Sequence, residues 1–126
     1  MSDKVTWFEL PADDTGRAGK FYNAVFGWDA PDMGTGDGSL LAQTAPTGED
    51  MQPLEKGSIN GSIAPRSEAF DKPHIVITVD NLDTKIEMVK QAGGDVVQAR
   101  QEVGEMMAFA IVSDTEGNNI GVIENF

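Results

Sequence analysis

ADDTGRAGKFYNAVFG, residues 12–27, and DNLDTKIEMVKQAGG, residues 80–94, decide how this chain folds. Both carry Asp-Thr early and close on Gly. In the first, Ala18, Phe21, Tyr22, Val25 and Phe26 fall at i, i+3, i+4, i+7 and i+8, which predicts one apolar helical face over 14–26. Asp13 or Asp14 supplies the N-terminal cap, because a short carboxylate accepts from the first free amides. Gly27 follows the last apolar residue, as a left-handed C-terminal position prefers. In the second, Leu82, Ile86, Val89 and Ala92 lie near one face and Gly93 is the stop.

Strand signals surround both helices. VTWFEL, 5–10, is rich in β-branched and aromatic residues and ends at Pro11. After the turn-rich DAPDMGTGDG, 29–38, come SLLAQ, 39–43, and SINGSIA, 58–64, whose Ser58, Asn60 and Ser62 alternate with Ile59, Gly61 and Ile63. Between them TAPTGEDMQPLEKG, 44–57, is a polar loop, long enough to be a lid or disordered. PRSEAFDKP, 65–73, reads as a connector. HIVITVD, 74–80, precedes the second helix, and DVVQ, MMAFAIVSD and NIGVIENF follow it, with a turn at TEGN, 115–118. Strand, helix and three strands thus occupy about 1–64 and recur over about 73–126. The expectation is one α+β domain, 1–126, of two βαβββ repeats. Their curved sheets face each other around a cup, with the helices outside.

Composition bounds what such a cup serves. The 126 residues are 40% hydrophobic and 24% charged, a globular balance, and the formal net charge is −12. That charge excludes a nucleic-acid surface, which must be basic, and an anionic membrane surface. It reads first as a solubility device. No apolar run approaches the ~18 residues of a membrane span, and the start lacks a secretory pattern, so a cytoplasmic location is expected. There is no cysteine, which excludes disulfides, thiolate metal sites and a cysteine nucleophile, and the one histidine is His74. GTGDG and GGD stand in turns without the strand-Gly-helix context of a phosphate cradle. No Ser-His-acid arrangement follows from spacing. Met106 and Met107 read as core or rim packing.

WFELPADDTGRAGKFYNAVFGW, HIVITVDNLD and FAIVSDTEGNNIGVIE together resemble the vicinal-oxygen-chelate superfamily, which covers glyoxalase I, extradiol dioxygenases and the bleomycin and fosfomycin resistance proteins. The stretches stand in the family's order and span nearly the whole chain. WFELP and DTEGNNIG look most like a glyoxalase-like branch. The resemblance implies four strands that each give one ligand to a divalent ion, which chelates two adjacent substrate oxygens. Carried over one at a time, the first position is Trp7, fourteen residues before Phe21, and indole has no lone pair for a metal. The second is Asn60, a poor transition-metal ligand. The third is His74. The fourth, four residues after Gly117, is Gly121, without a side chain. Catalytic zinc usually needs three protein ligands. Glu9 shares the face of Trp7 but sits ~7 Å along the strand, and alternation puts Glu124 on the face opposite Gly121. A shifted register that recruits Glu9 is the remaining route to a metal.

Alternation also gives an inventory of the cup. Val5, Trp7 and Glu9 face in, with Phe8 and Leu10 under the helix. His74, Val76 and Thr78 face in, as do Ser58, Asn60, Ser62, Gly121 and Ile123. This mixture suits a small-molecule pocket. His74 reads as a general base or ligand contact, or as a strand-edge histidine satisfied locally. Trp7 stacks on a planar ligand or plugs the former metal cavity. Glu9, costly to bury alone, is paired or functional, or stands partly exposed at the mouth. Asn60 is structural or a ligand contact. The favoured reading is a metal-independent small-molecule-binding protein with no cofactor. Its ligand contacts are Trp7, Glu9, Asn60, His74, Thr78 and Gly121. The resemblance implies a homodimer. The alternatives are a glyoxalase-like lyase or isomerase using a divalent metal, and a dimeric interaction module with a vestigial cup.

Overall fold

The computed structural model describes residues 2–126. Its elements run β1 (Lys4–Ala12), α1 (Thr15–Phe26), β2 (Leu40–Ala42), β3 (Gly61–Pro65), β4 (His74–Thr78), α2 (Leu82–Gln91), β5 (Asp95–Val103), β6 (Met107–Ser113) and β7 (Asn119–Asn125). Two helices and seven strands with both parallel and antiparallel pairing make the chain α+β, as expected. The chain divides into two compact units. The N-terminal unit is Trp7–Pro73; the C-terminal unit is His74–Phe126 with the chain up to Thr6. The connector at 65–73 therefore belongs to the first unit. Arg66 ties it there: its amide bonds Ala12 O at 3.0 Å and its guanidinium bonds Asp13 at 2.9 Å and Asp71 O at 2.6 Å.

In the N-terminal unit β1 pairs in parallel with β3, and β2 runs antiparallel to β3. In the C-terminal unit β4 pairs in parallel with β7, and β6 lies antiparallel between β7 and β5. Each unit thus pairs the strand before its helix with its own last strand, which is the repeat seen in the sequence. The first unit shortens the pattern. Where β5 runs nine residues, the corresponding segment after α1 makes only isolated bridges, Asp29 to Gln43 and Asp32 to Leu40. Asp32 and Asp37 fold that segment into tight turns instead, accepting from Gly34 N at 2.6 Å and Ser39 N at 2.9 Å. DVVQ, expected as a short strand, is the start of the long β5. SINGSIA enters the sheet only at Gly61.

The helix ends follow the capping logic. Asp14, rather than Asp13, caps α1 by accepting from Arg17 N at 2.9 Å, and Gly27 takes the left-handed conformation at φ 76°. Asn81 caps α2 by accepting from Thr84 N at 2.9 Å. The predicted apolar face of α1 is only half used. Ala18 and Tyr22 pack on Ala12, Ala42 and Ile63, but Phe21, Val25 and Phe26 are 55–59% exposed. For Phe21 and Val25 the cause is Gly19, the buried residue of the helix, which brings the backbone against Leu40 and Ala30. Phe21 and Val25 lie two and six residues on, about 200° and 240° around the helix. Tyr22 instead stacks on Trp28, with ring centroids 5.0 Å apart and planes within 8°. In the C-terminal unit Leu82, Ile86 and Val89 of α2 cover Val79, Ala108, Ala110, Val112 and Val122. Each buried Val, Leu or Ile there contributes about 1.5–3 kcal/mol. Among the described residues no helix is long and apolar enough to cross a membrane.

Candidate functional site

Helix packing sorts the strand residues by face. Phe8, Leu10, Ala12, Leu40, Ala42 and Ile63 lie under α1. Alternation leaves Trp7, Glu9, Leu41 and Ser62 on the opposite face of the N-terminal unit. The register confirms this, with Glu9 and Leu41 both directly opposite Ser62. There the Trp7 indole N–H donates to Ser62 Oγ at 3.2 Å, and Ser62 donates to Glu9 Oε2 at 3.3 Å. Indole is a donor only, so the serine oxygen must accept from it and its single proton turns to the carboxylate. Ser62 is buried, while Trp7 and Glu9 are partly exposed. The strand alternation had placed Ser62 on this face; its linking role needed the β1–β3 register, which one strand read alone does not give.

Asn60 is fully buried and turned into the 44–51 loop. Its Oδ1 accepts from Thr44 N at 3.0 Å, and its Nδ2 donates to Thr47 Oγ1 at 2.9 Å and Met51 O at 3.1 Å. Both ends of the amide are thus committed to the loop, which Asn60 pins across the strand entrance.

In the C-terminal unit Ile77, Val79, Ile120 and Val122 face α2, so His74, Val76, Thr78, Gly121 and Ile123 turn the other way. Val76 stands directly opposite Gly121 and Thr78 opposite Ile123. His74 is 8% exposed, and Thr78 Oγ1 lies 2.6 Å from Thr6 Oγ1. Glu124 lies toward the helix, as alternation required. Its carboxylate accepts from Leu82 N, the first amide of α2, at 2.7 Å.

The four positions implied for a metal do not fit one. Trp7 offers a proton where a lone pair is needed, Asn60 is spent on the loop, and Gly121 has no side chain. Among the described residues no three His, Asp or Glu side chains converge as a metal site. Glu9, the spare donor, is engaged by Ser62. The carboxyls held below their ordinary range lie elsewhere, in surface turns. Asp37 is lowered by hydrogen bonds from the Thr35 and Ser39 side chains, and Asp114 by the Asn118 side chain and then backbone amides. A shallow groove beside α1, between Lys20, Asn23 and Asp29, gathers no comparable set of convergent groups.

Comparison with known proteins places this architecture. Residues 4–122 match the family model described as the Glyoxalase/Bleomycin resistance protein/Dioxygenase superfamily. The chain belongs to that superfamily. A glyoxylase-like domain-containing protein of Didymella fabae is 35% identical over 94% of this chain and 91% of its own length. A glyoxalase/bleomycin resistance protein/dioxygenase superfamily member from Vibrio splendidus superposes with a TM-score of 0.64, at 10% identity, over 99% of this chain and all of its own. A Streptomyces coelicolor methylmalonyl-CoA epimerase, in complex with 2-nitronate-propionyl-CoA, gives a TM-score of 0.64 at 13% identity, over 96% of both chains. At such identities the two structures share this superfamily member's fold, and their chemistry is their own.

Proposed function

We propose that this superfamily member is a metal-independent small-molecule-binding protein of the glyoxalase/bleomycin-resistance type, acting as a homodimer in the cytoplasm. The observation that carries the reading is the Trp7–Ser62–Glu9 chain. At the implied first metal position stands an indole whose N–H is already donated, and the neighbouring carboxylate is held by the same serine. Trp7, Glu9, His74 and Thr78 are then ligand contacts, with Gly121 leaving room beside Val76. Asn60 contributes by holding the 44–51 loop. The exposed Phe21, Val25 and Phe26 of α1 are apolar surface that a homodimer would cover.

The competing reading, a glyoxalase-like lyase or isomerase with a divalent metal, has His74 in its favour. Metal analysis of the purified protein separates the two, followed by a thermal-shift screen with aromatic and dicarbonyl compounds. The binding reading expects substoichiometric metal and a ligand that raises Tm without turnover. About one tightly held transition metal per chain would overturn it.

A further inference from the structure

Asn60–Gly61 is the only Asn-Gly dipeptide in the chain. In an open chain this pair readily loses its side-chain amide, because glycine has no Cβ to hinder its own nitrogen from closing a ring onto the asparagine side chain. Here neither residue is easily replaced. A Cβ at Gly61 would collide with the Phe8 ring and carbonyl oxygen, and Asn60 holds Thr44 N, Thr47 Oγ1 and Met51 O. The fold opposes ring closure from both sides. Gly61 lies in the sheet between Phe8 and Ala42, its register partners. The Asn60 carboxamide is fully buried and turned toward the loop. Opening of the loop frees that side chain, and polar bonds, not buried side chains, hold the loop closed. None of the described residues 44–57 is buried. Met51, whose carbonyl takes one Asn60 bond, has a φ of 65°, a left-handed conformation uncommon outside glycine. Segments with few buried contacts open at much lower free energy than the whole domain unfolds.

We infer that Asn60–Gly61 is a latent modification site: opening of the 44–51 loop lets Asn60 convert spontaneously to an aspartyl or isoaspartyl residue, and the conversion keeps the loop open. The Gly61 nitrogen bonds to Asn60 Cγ, the Cγ–Nδ2 bond breaks, and Nδ2 leaves as ammonia with the Gly61 amide proton. Water then opens the cyclic imide at Cγ, giving aspartate, or at the Asn60 backbone carbonyl, giving isoaspartate. Water is the one co-reactant and nothing is oxidised or reduced. The aspartyl product turns an acceptor toward Met51 O and places a charge in a buried site. The isoaspartyl product adds a backbone carbon just before β3, which moves the side chain off its loop partners. Either product marks irreversibly a chain whose loop has opened. No ligand enters the step, so the inference goes beyond the small-molecule-binding reading and does not depend on it.

The test incubates the full chain at neutral pH, folded and in denaturing urea, and digests samples briefly with trypsin at mildly acidic pH. Mass spectrometry of the peptide 57–66, GSINGSIAPR, whose one asparagine is Asn60, reads the mass gain from amide to acid. The folded chain is expected to convert about thirtyfold or more slowly than the chain in urea. Thr47→Val removes the acceptor of Asn60 Nδ2, and Thr44→Val removes the hydroxyl bonded to Ile59 O. Each is expected to raise the folded rate about three- to tenfold, with the rate in urea unchanged. Thr47→Ser, which keeps the hydroxyl, is expected to convert at the wild-type rate. Asp114→Asn weakens a turn of the C-terminal unit and controls for unfolding of the whole chain; its rate is expected to match wild type. Far-UV spectra verify that the variants fold, and Thr44→Val carries the test should Thr47→Val not fold. Converted chains, separated by ion exchange, are expected to exchange the Thr44 amide hydrogen faster than unconverted ones. Equal rates folded and in urea, or Thr→Val variants that convert no faster than wild type, would overturn the inference. So would an Asp114→Asn rate raised as much as that of Thr47→Val, which assigns conversion to global unfolding, or converted chains with unchanged exchange at Thr44.

Discussion

Glu124 accepts the backbone N–H of Leu82 at 2.7 Å across 42 residues of chain, tying the last strand to the first turn of α2. With Asn81 on Thr84 N, it satisfies two of the amides that a helix N-terminus leaves without partners. The negative charge also meets the positive end of the helix dipole. Glu124→Ala is expected to lower stability by about 1–2 kcal/mol in urea denaturation. Glu124→Gln, which keeps an acceptor oxygen, should recover part of that loss. Neither change should alter affinity for a ligand on the opposite face of β7.

Gly61 presents a harder constraint. It stands directly opposite Phe8 in the parallel β1–β3 pairing, and a Cβ there would collide with the Phe8 ring and its carbonyl oxygen. The ring can rotate away, but the carbonyl is held in the ladder. Gly61→Ala is expected to cost about 1–3 kcal/mol as overpacking. Its urea midpoint should fall further than that of Gly57→Ala, where the φ of 83° is strained but the space is open. A midpoint for Gly61→Ala equal to wild type would show that the two strands separate more easily than their register implies.

These two contacts show what was legible and what was not. Asp14, Gly27 and Gly93 mark helix boundaries because capping is local, decided within a few residues of chain. Strand faces were legible too, since alternation put Phe8 and Leu10 under the helix and Glu124 away from Gly121. The orientation of α1 was not, because the five apolar residues spread over one broad face, of which only the part at Ala18 and Tyr22 packs inward. Gly19, silent in a hydrophobic pattern, selected that part through its fit to Leu40 and Ala30. In the candidate site, the face that Trp7 and Glu9 share was legible, and their hydrogen-bond partners were not. Alternation alone aligns Trp7 with Glu9, but their connection through Ser62 depends on a register set 53 residues away.

Asn60 was open to two uses, and its geometry supports the structural one. The side chain bonds Thr44 N, Thr47 Oγ1 and Met51 O from a fully buried position. Asn60→Ala is expected to destabilise the protein by about 2–4 kcal/mol, since lost bonds are compounded by buried groups left without partners. The loss should be regional. Hydrogen exchange at Thr44 and Gly48 should accelerate most, with α2 and β5–β7 little changed. Asn60→Asp should be at least as damaging, because it replaces the donor to Met51 O with an acceptor. Equal acceleration throughout both units would argue that Asn60 acts on the core and not on the loop.

The turn between β6 and β7 should make stability depend on acid in a defined direction. Asp114 accepts from Glu116 N at 2.8 Å, Asn118 N at 3.0 Å and Asn118 Nδ2 at 2.9 Å. These bonds, the Asn118 side chain foremost, hold its carboxyl below the ordinary 3.8. Unfolding releases them and lets the group return to its usual value. The unfolded chain therefore binds the proton first as pH falls. The stabilisation is complete above pH ~4, and it disappears as pH drops through the lowered folded value. Asp114→Asn should melt a few degrees below wild type at pH 7, by an amount that stays constant down to about pH 5. Below pH ~4 the two melting curves should converge. A gap that persists unchanged at pH 2 would assign the effect to lost hydrogen-bond geometry and not to the charge. Asn118→Ala, which removes the largest donor, should move the convergence toward higher pH.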